Sequence, residues 1–175
     1  MKVAAWEHVG ARRGFEVVSI GDGRFEGVTA AVEDGEAWAV RYVIELDEQW
    51  RTTTAEITSL AARTILEHDG DGHWTVDGSH DPELDGCLDV DLASSALTNA
   101  FPVRRLDLAV GQHAEAPAAY VRATDLRVER LEQRYVRLSA TRYRYSAPRF
   151  EFQTTLVYDD MGYVTDYPGI ATRVA

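Results

Sequence analysis

The chain has 175 residues, 45% hydrophobic and 27% charged, proportions that suit one globular domain over residues 1–175, with a core needing neither disulfide nor structural metal. Twenty-nine acids against 18 Lys plus Arg give a net charge of −11, which excludes a general nucleic-acid or anionic-membrane surface. Residues 1–99 hold 20 acids and 7 bases, and residues 100–175 hold 9 acids and 11 bases, so an acidic first half is expected to face a basic second half.

From the N-terminus, Met1 to Phe15 breaks its apolar residues with Glu7, His8, Arg12 and Arg13, and no signal peptide is predicted. Gly21-Asp22-Gly23 and Glu33-Asp34-Gly35 read as hairpin tips. In the run Val40 to Leu46, Val40, Tyr42, Ile44 and Leu46 share one face of a half-buried strand. Ile57 to Leu66 carries a helix-like spacing, but Ile57, Thr58, Thr64 and Ile65 are β-branched, so two strands are predicted. Asp69-Gly70-Asp71-Gly72 is a further tip. Ala93 to Asn99 is expected to form one helical turn, and Ala114 to Ala119, broken by Pro117, a loop. Two late strands complete the pattern: one with Val136, Leu138 and Ala140 inward, and one with Phe150, Phe152, Leu156 and Tyr158 inward, before a tip at Asp159 to Gly162. About a dozen strands follow, with helix below roughly 15%, against a typical third. The fold class is all-β, a large curled antiparallel sheet or barrel. No apolar run approaches the ~20 residues of a membrane span.

The densest polar stretch runs from Asp77 to Arg105. Asp89 and Asp91 lie two apart on a strand, so both carboxylates project from one face with Asp85 nearby. Paired carboxylates serve glycoside hydrolysis; the plainer reading pairs them with Arg104 and Arg105. Cys87, the single cysteine, cannot form an intrachain disulfide, which points to a cytoplasmic protein. Its spacing to His80 or His113 fits no protease signature, so a buried structural thiol is expected. His68, Asp69, Asp71 and His73 match neither an EF-hand nor a zinc pattern. Walker, dinucleotide-binding and serine-elbow motifs are absent. No catalytic residue, metal or cofactor is therefore predicted. The aromatic residues, spread over many strands, are better placed for binding, because a closed sheet either fills its interior or encloses an apolar cavity.

Several stretches together carry a resemblance: Gln49-Trp50-Arg51-Thr52, Gly72-His73-Trp74-Thr75-Val76-Asp77-Gly78, Glu83-Leu84-Asp85-Gly86-Cys87-Leu88-Asp89-Val90-Asp91-Leu92, Thr98-Asn99, Phe101-Pro102-Val103-Arg104-Arg105-Leu106, Leu131-Glu132-Gln133-Arg134-Tyr135, Tyr143-Arg144-Tyr145 and Asp166-Tyr167-Pro168-Gly169. In this order the chain resembles, over almost its whole length, the bacterial family of unknown function described as putative glycolipid-binding. It departs from that pattern at Ser95-Ala96-Leu97, where a proline tends to follow the serine, and at Ile170-Ala171-Thr172, which follows Tyr-Pro-Gly where a tryptophan is common. The resemblance implies a spiral β-roll similar to the barrel of bacterial lipoprotein carriers, with an apolar interior and a homodimer.

The leading expectation is non-enzymatic binding of a lipid or glycolipid, with Trp50, Arg51, Asp85, Cys87, Asp89, Asp91, Asn99, Arg104 and Arg105 as candidate ligand-binding residues. Two alternatives stand beside it: an enzyme acting on a sugar or lipid headgroup through Asp85, Asp89 and Asp91, and a structural homodimer with a filled interior. The candidates, Asp85 aside, are expected to cluster with their arginines paired to acids, because Ile65 to Asp91 holds nine acids and no base. A homodimer would cover the edges of so large a sheet. A ten-carbon chain buried in the cavity would contribute roughly 8 kcal/mol before ordering costs.

Overall fold

The structure, a computed structural model, describes residues 2–175. Its strands in chain order are β1 (Lys2–His8), β2 (Arg12–Ile20), β3 (Arg24–Glu33), β4 (Glu36–Leu46), β5 (Thr52–Ser59), β6 (Arg63–His68), β7 (Trp74–Val76), β8 (Ser79–His80), β9 (Asp89–Leu92), β10 (His113–Glu115), β11 (Ala118–Val121), β12 (Val128–Leu131), β13 (Arg134–Arg137), β14 (Arg142–Ala147), β15 (Phe152–Tyr158), β16 (Val164–Tyr167) and β17 (Ala171–Arg173). One α-helix, α1 (Ala100–Leu106), lies between β9 and β10. Strand accounts for 55% and helix for 9%, within the expected limit. Fourteen strands form one antiparallel sheet in the order β10-β13-β14-β15-β16-β17-β1-β2-β3-β4-β5-β6-β7-β8. It curls without closing. The first and last strands, β1 and β17, pair with each other and join two meanders into one surface.

The turns follow from their residues. Asp34 and Gly35 both take positive φ (52° and 83°), the geometry a two-residue primed turn requires to match strand twist. Asp69 closes its tip by accepting hydrogen bonds through Oδ1 from the backbone N–H of Asp71 and His73. Val40, Tyr42 and Ile44 are buried, as their alternation predicts. Beneath Tyr42, the partner residue on β3 is Gly27. A Cβ there would lie 2.1 Å from the tyrosine ring, so only glycine lets the ring lie flat across the strand.

The concave face is occupied by the chain's own middle segment. A three-stranded sheet, β12-β11-β9, with β9 and β11 parallel, packs with α1 inside the curl. Val90, Leu92, Leu97 and Phe101 from this plug share one core with Trp6, Phe25, Tyr42 and Trp74 from the large sheet. A second core lies under β13 to β16, around Tyr135, Tyr143, Leu156 and Tyr158.

The helical turn expected within Ala93 to Asn99 is a 3₁₀ turn at Leu97–Asn99, and an α-helix follows directly from Ala100; its first turn tolerates Pro102 because N-terminal N–H groups lack intrahelical partners anyway. Three local expectations are corrected. Ala114 to Ala119 is no simple loop, since β10 and β11 flank Pro117. On β13 the inward residue is Tyr135, fully buried, whereas Leu138 is exposed; Tyr135 stacks on its cross-strand partner Tyr145 at 5.1 Å, and that contact sets the phase. Phe150 belongs to a 3₁₀ turn at Pro148–Phe150 and is half exposed. The charged halves also behave otherwise than expected. Ion pairs among the described residues are mostly local in sequence, and Arg105–Asp89 is the one joining residues 1–99 to residues 100–175.

Candidate functional site

At one end of the curl, where the plug meets the large sheet, a cavity of about 240 Å³ remains. Four strands supply its aromatic wall: Tyr120 on β11, Tyr145 on β14, Phe152 on β15 and Tyr167 on β16, with Phe150 beside Tyr120 at 5.5 Å. Its polar lining comprises His8, Arg12, Asp91, Ser95 and Asn99. Ile170 also lines it, within the Ile170-Ala171-Thr172 stretch where the resemblance anticipates a tryptophan.

Local folding positions each polar group. Asp91 faces inward on β9 and accepts from Thr98 Oγ1 at 2.9 Å and from Gln133 Nε2. Gln133 Nε2 also donates to Tyr145 Oη at 3.0 Å. Burial pushes the Asp91 carboxyl up to about 6 against the pull of those donors. Asn99 Oδ1 accepts from Tyr135 at 3.1 Å. Arg12 donates from Nε and Nη2 to Glu33 and from Nη1 to the Ala93 carbonyl, and its guanidinium lies 4.9 Å from the Trp38 ring. His8, at the end of β1, is 3% exposed, and among the described residues neither ring nitrogen makes a hydrogen bond of good geometry, the Ile170 backbone acting on the ring less than burial and Arg12 do. Burial, reinforced by Arg12, lowers its pKa to about 4.

Beside the cavity Glu16 is completely buried, and none of the described residues brings a cation to it. Tyr42 donates to its Oε1 at 2.6 Å, Ser95 Oγ donates to the same oxygen, and the Ala96 N–H donates to Oε2 at 2.8 Å. Burial raises its pKa. The carboxyl thus ties the Ser95-Ala96-Leu97 turn of the plug to β2 and β4 of the sheet.

The candidates drawn from the sequence are divided among several environments. Asp91 and Asn99 line the cavity. Asp89, almost fully buried, is held in a two-pronged pair by Arg105, with Nη2–Oδ2 at 2.6 Å and Nε–Oδ1 at 3.1 Å; burial raises its pKa and Arg105 opposes the shift. Among the described residues Arg104 pairs with no acid: its guanidinium lies 3.8 Å from the Trp50 ring and 5.5 Å from that of Tyr163, and it donates to the Met161 carbonyl. Trp50 and Arg104 line a separate, wide-open cleft of about 620 Å³ with Asp107, Arg137 and Asp160. Arg51 clamps its own turn, donating to Asp47 Oδ2 at 2.6 Å and to the Gly70 carbonyl at 2.9 Å. Asp85 is near the surface beside His80, at 3.0 Å. Cys87 is buried, its thiol pushed up to about 12 chiefly by burial.

His8 and Glu16 escaped the reading of the sequence, although a signal existed. Counting back in twos from Ile20 and Val18 places Glu16, Gly14 and Arg12 on the core face, and counting on from Ala4 and Trp6 places His8 there.

Comparison with known proteins agrees with this architecture. The model of the family described as putative glycolipid-binding matches residues 3–173. Among solved structures, a DUF1089 family protein from Pseudomonas aeruginosa superposes with a TM-score of 0.86 at 34% identity, over 97% of this chain and 95% of that one. No curated protein matches.

Proposed function

The chain belongs to the family described as putative glycolipid-binding, and we propose that it is a non-enzymatic binding protein holding the headgroup of a lipid or glycolipid between its two sheets. One observation carries this reading: an aromatic-walled cavity with buried polar groups on one side, the combination that shields a ring's apolar faces while satisfying its polar edge. The size refines the earlier expectation. About 240 Å³ lies below the ~300–1,000 Å³ of drug-sized ligand pockets. The plug fills the space in which a ten-carbon chain was expected, so the cavity suits one ring and any acyl chain runs outside it.

The carboxylate-enzyme reading is weaker on geometry. Asp85 stands outside the cavity and Asp89 is tied up by Arg105, which leaves Asp91 without the second carboxylate that acid–base hydrolysis uses. Tyr120→Ala tests the binding reading: ligand retained by the wild-type protein through purification without detergent is expected to be lost from the variant, and equal retention would contradict it.

A homodimer and a cytoplasmic setting complete the proposal. The free edges β8 and β10 are only two and three residues long, so edge pairing gives little backbone to join two copies. Self-association rests instead on exposed apolar side chains such as Phe15, Val17, Val28 and Val32. No helix among the described residues is long and apolar enough to cross a membrane.

A further inference from the structure

We infer that His8 is the polar anchor of the cavity and that it reads hydroxyl groups of an uncharged ring, so that the headgroup bound there is a neutral sugar and not a phosphorylated, sulfated or carboxylated one. The inference rests on the binding function proposed above and narrows its ligand class.

A row of side chains crosses the concave face. Through successive strand registers Tyr167, Ala171, His8, Gly14, Ala31 and Trp38 stand side by side. Small residues, Ala171 and Gly14, flank His8 in this row, and its ring borders the cavity. A Cβ on Gly14 would meet the Ala30 carbonyl at 2.1 Å, which fixes glycine next to the histidine. Among the described residues neither imidazole nitrogen makes a hydrogen bond of good geometry, the Ile170 backbone being the one protein group that acts on the ring as a partial partner, although the residue is 3% exposed and borders the cavity. Buried polar atoms in native proteins are almost always hydrogen-bonded. The missing partner is therefore assigned to the ligand.

The chemistry of that partner follows from charge. With its pKa near 4, His8 is neutral at physiological pH and offers one donor and one acceptor. Hydroxyl groups, which both donate and accept, satisfy the two nitrogens together. A phosphate dianion, sulfate or carboxylate oxygen only accepts and would leave one nitrogen unpaired. The cation that lines the cavity is already engaged: Arg12 holds the Glu33 carboxylate through Nε and Nη2 and the Ala93 carbonyl through Nη1, so Glu33 offsets its charge. On the cavity's other side Asp91, with a pKa near 6, is mostly ionised at pH 7 and repels negative charge.

The test is calorimetric titration, below micelle concentration, with octyl gluco-, galacto- and mannosides, the matching octyl glucuronide and octanol. At least one neutral glycoside is expected to bind at least tenfold more tightly than both glucuronide and octanol. His8→Phe, of similar size, should weaken that glycoside at least tenfold without lowering the melting temperature of the free protein, because it removes two unpaired buried nitrogens; His8→Gln, with one donor and one acceptor, should keep most of the affinity. Glucuronide binding as tightly as the best glycoside, or undiminished glycoside binding by folded His8→Phe, would overturn the inference and leave the binding function standing. Octanol matching every glycoside would overturn the sugar assignment. No binding of any probe would overturn both the inference and the proposed function.

Discussion

Two groups in the cavity give opposite dependences of stability on pH. For His8 the folded pKa, near 4, lies below the unfolded value of 6.5. The unfolded chain binds more protons between those values, so this contribution to stability rises with pH across that window. Asp91, raised from 3.8 to about 6, does the reverse, and Glu16 joins it in direction. His8→Phe is therefore expected to shift the stability optimum to lower pH and Asp91→Asn to shift it upward, as read from urea midpoints between pH 4 and 7. An unchanged optimum in both variants would contradict the assigned environments. Cys87 gives a simpler expectation: a buried thiol with its pKa near 12 stays unalkylated by iodoacetamide in the native protein at pH 8 and reacts once urea unfolds it.

The elements depend on a few points where strand and plug touch. Glu16→Ala would leave the Tyr42 and Ser95 hydroxyls and the Ala96 N–H without their acceptor, at a cost on the order of 3 kcal/mol or more, measurable as a lowered urea midpoint. Gly27→Val is expected to be similarly damaging, because the new side chain occupies the place of the Tyr42 ring. Strand identity and hairpin tips were legible in the sequence, since period-two alternation and Asp-Gly turns are local signals. The phase of β13 was not: Val136 and Leu138 look like core residues until Tyr135 meets Tyr145 across the ladder. Nor was the plug, because the parallel pairing of β9 with β11 is a long-range contact without a local signature. The candidate site was half visible. Asp91 and Asn99 stood out in a dense polar run, whereas His8 and Glu16 are isolated polar residues whose inward direction depends on strand phase. The Trp50–Arg104 pair, part of the quoted resemblance, stacks its charge over an aromatic ring in place of the acid pairing expected for Arg104.

At the scale of the molecule, the curled sheet is a holder for its own middle segment, and the space left between the two makes the cavity. Light scattering at micromolar concentration is expected to give twice the 19.5 kDa chain mass; the monomer mass would remove the homodimer and leave the cavity untouched. The central claim is that the cavity holds a ligand headgroup. Native mass spectrometry of protein purified without detergent tests it most directly: the account predicts a population heavier than the bare chain by the mass of a neutral glycolipid, released on activation, and bare chain alone even after incubation with a lipid extract of the producing cells would contradict it.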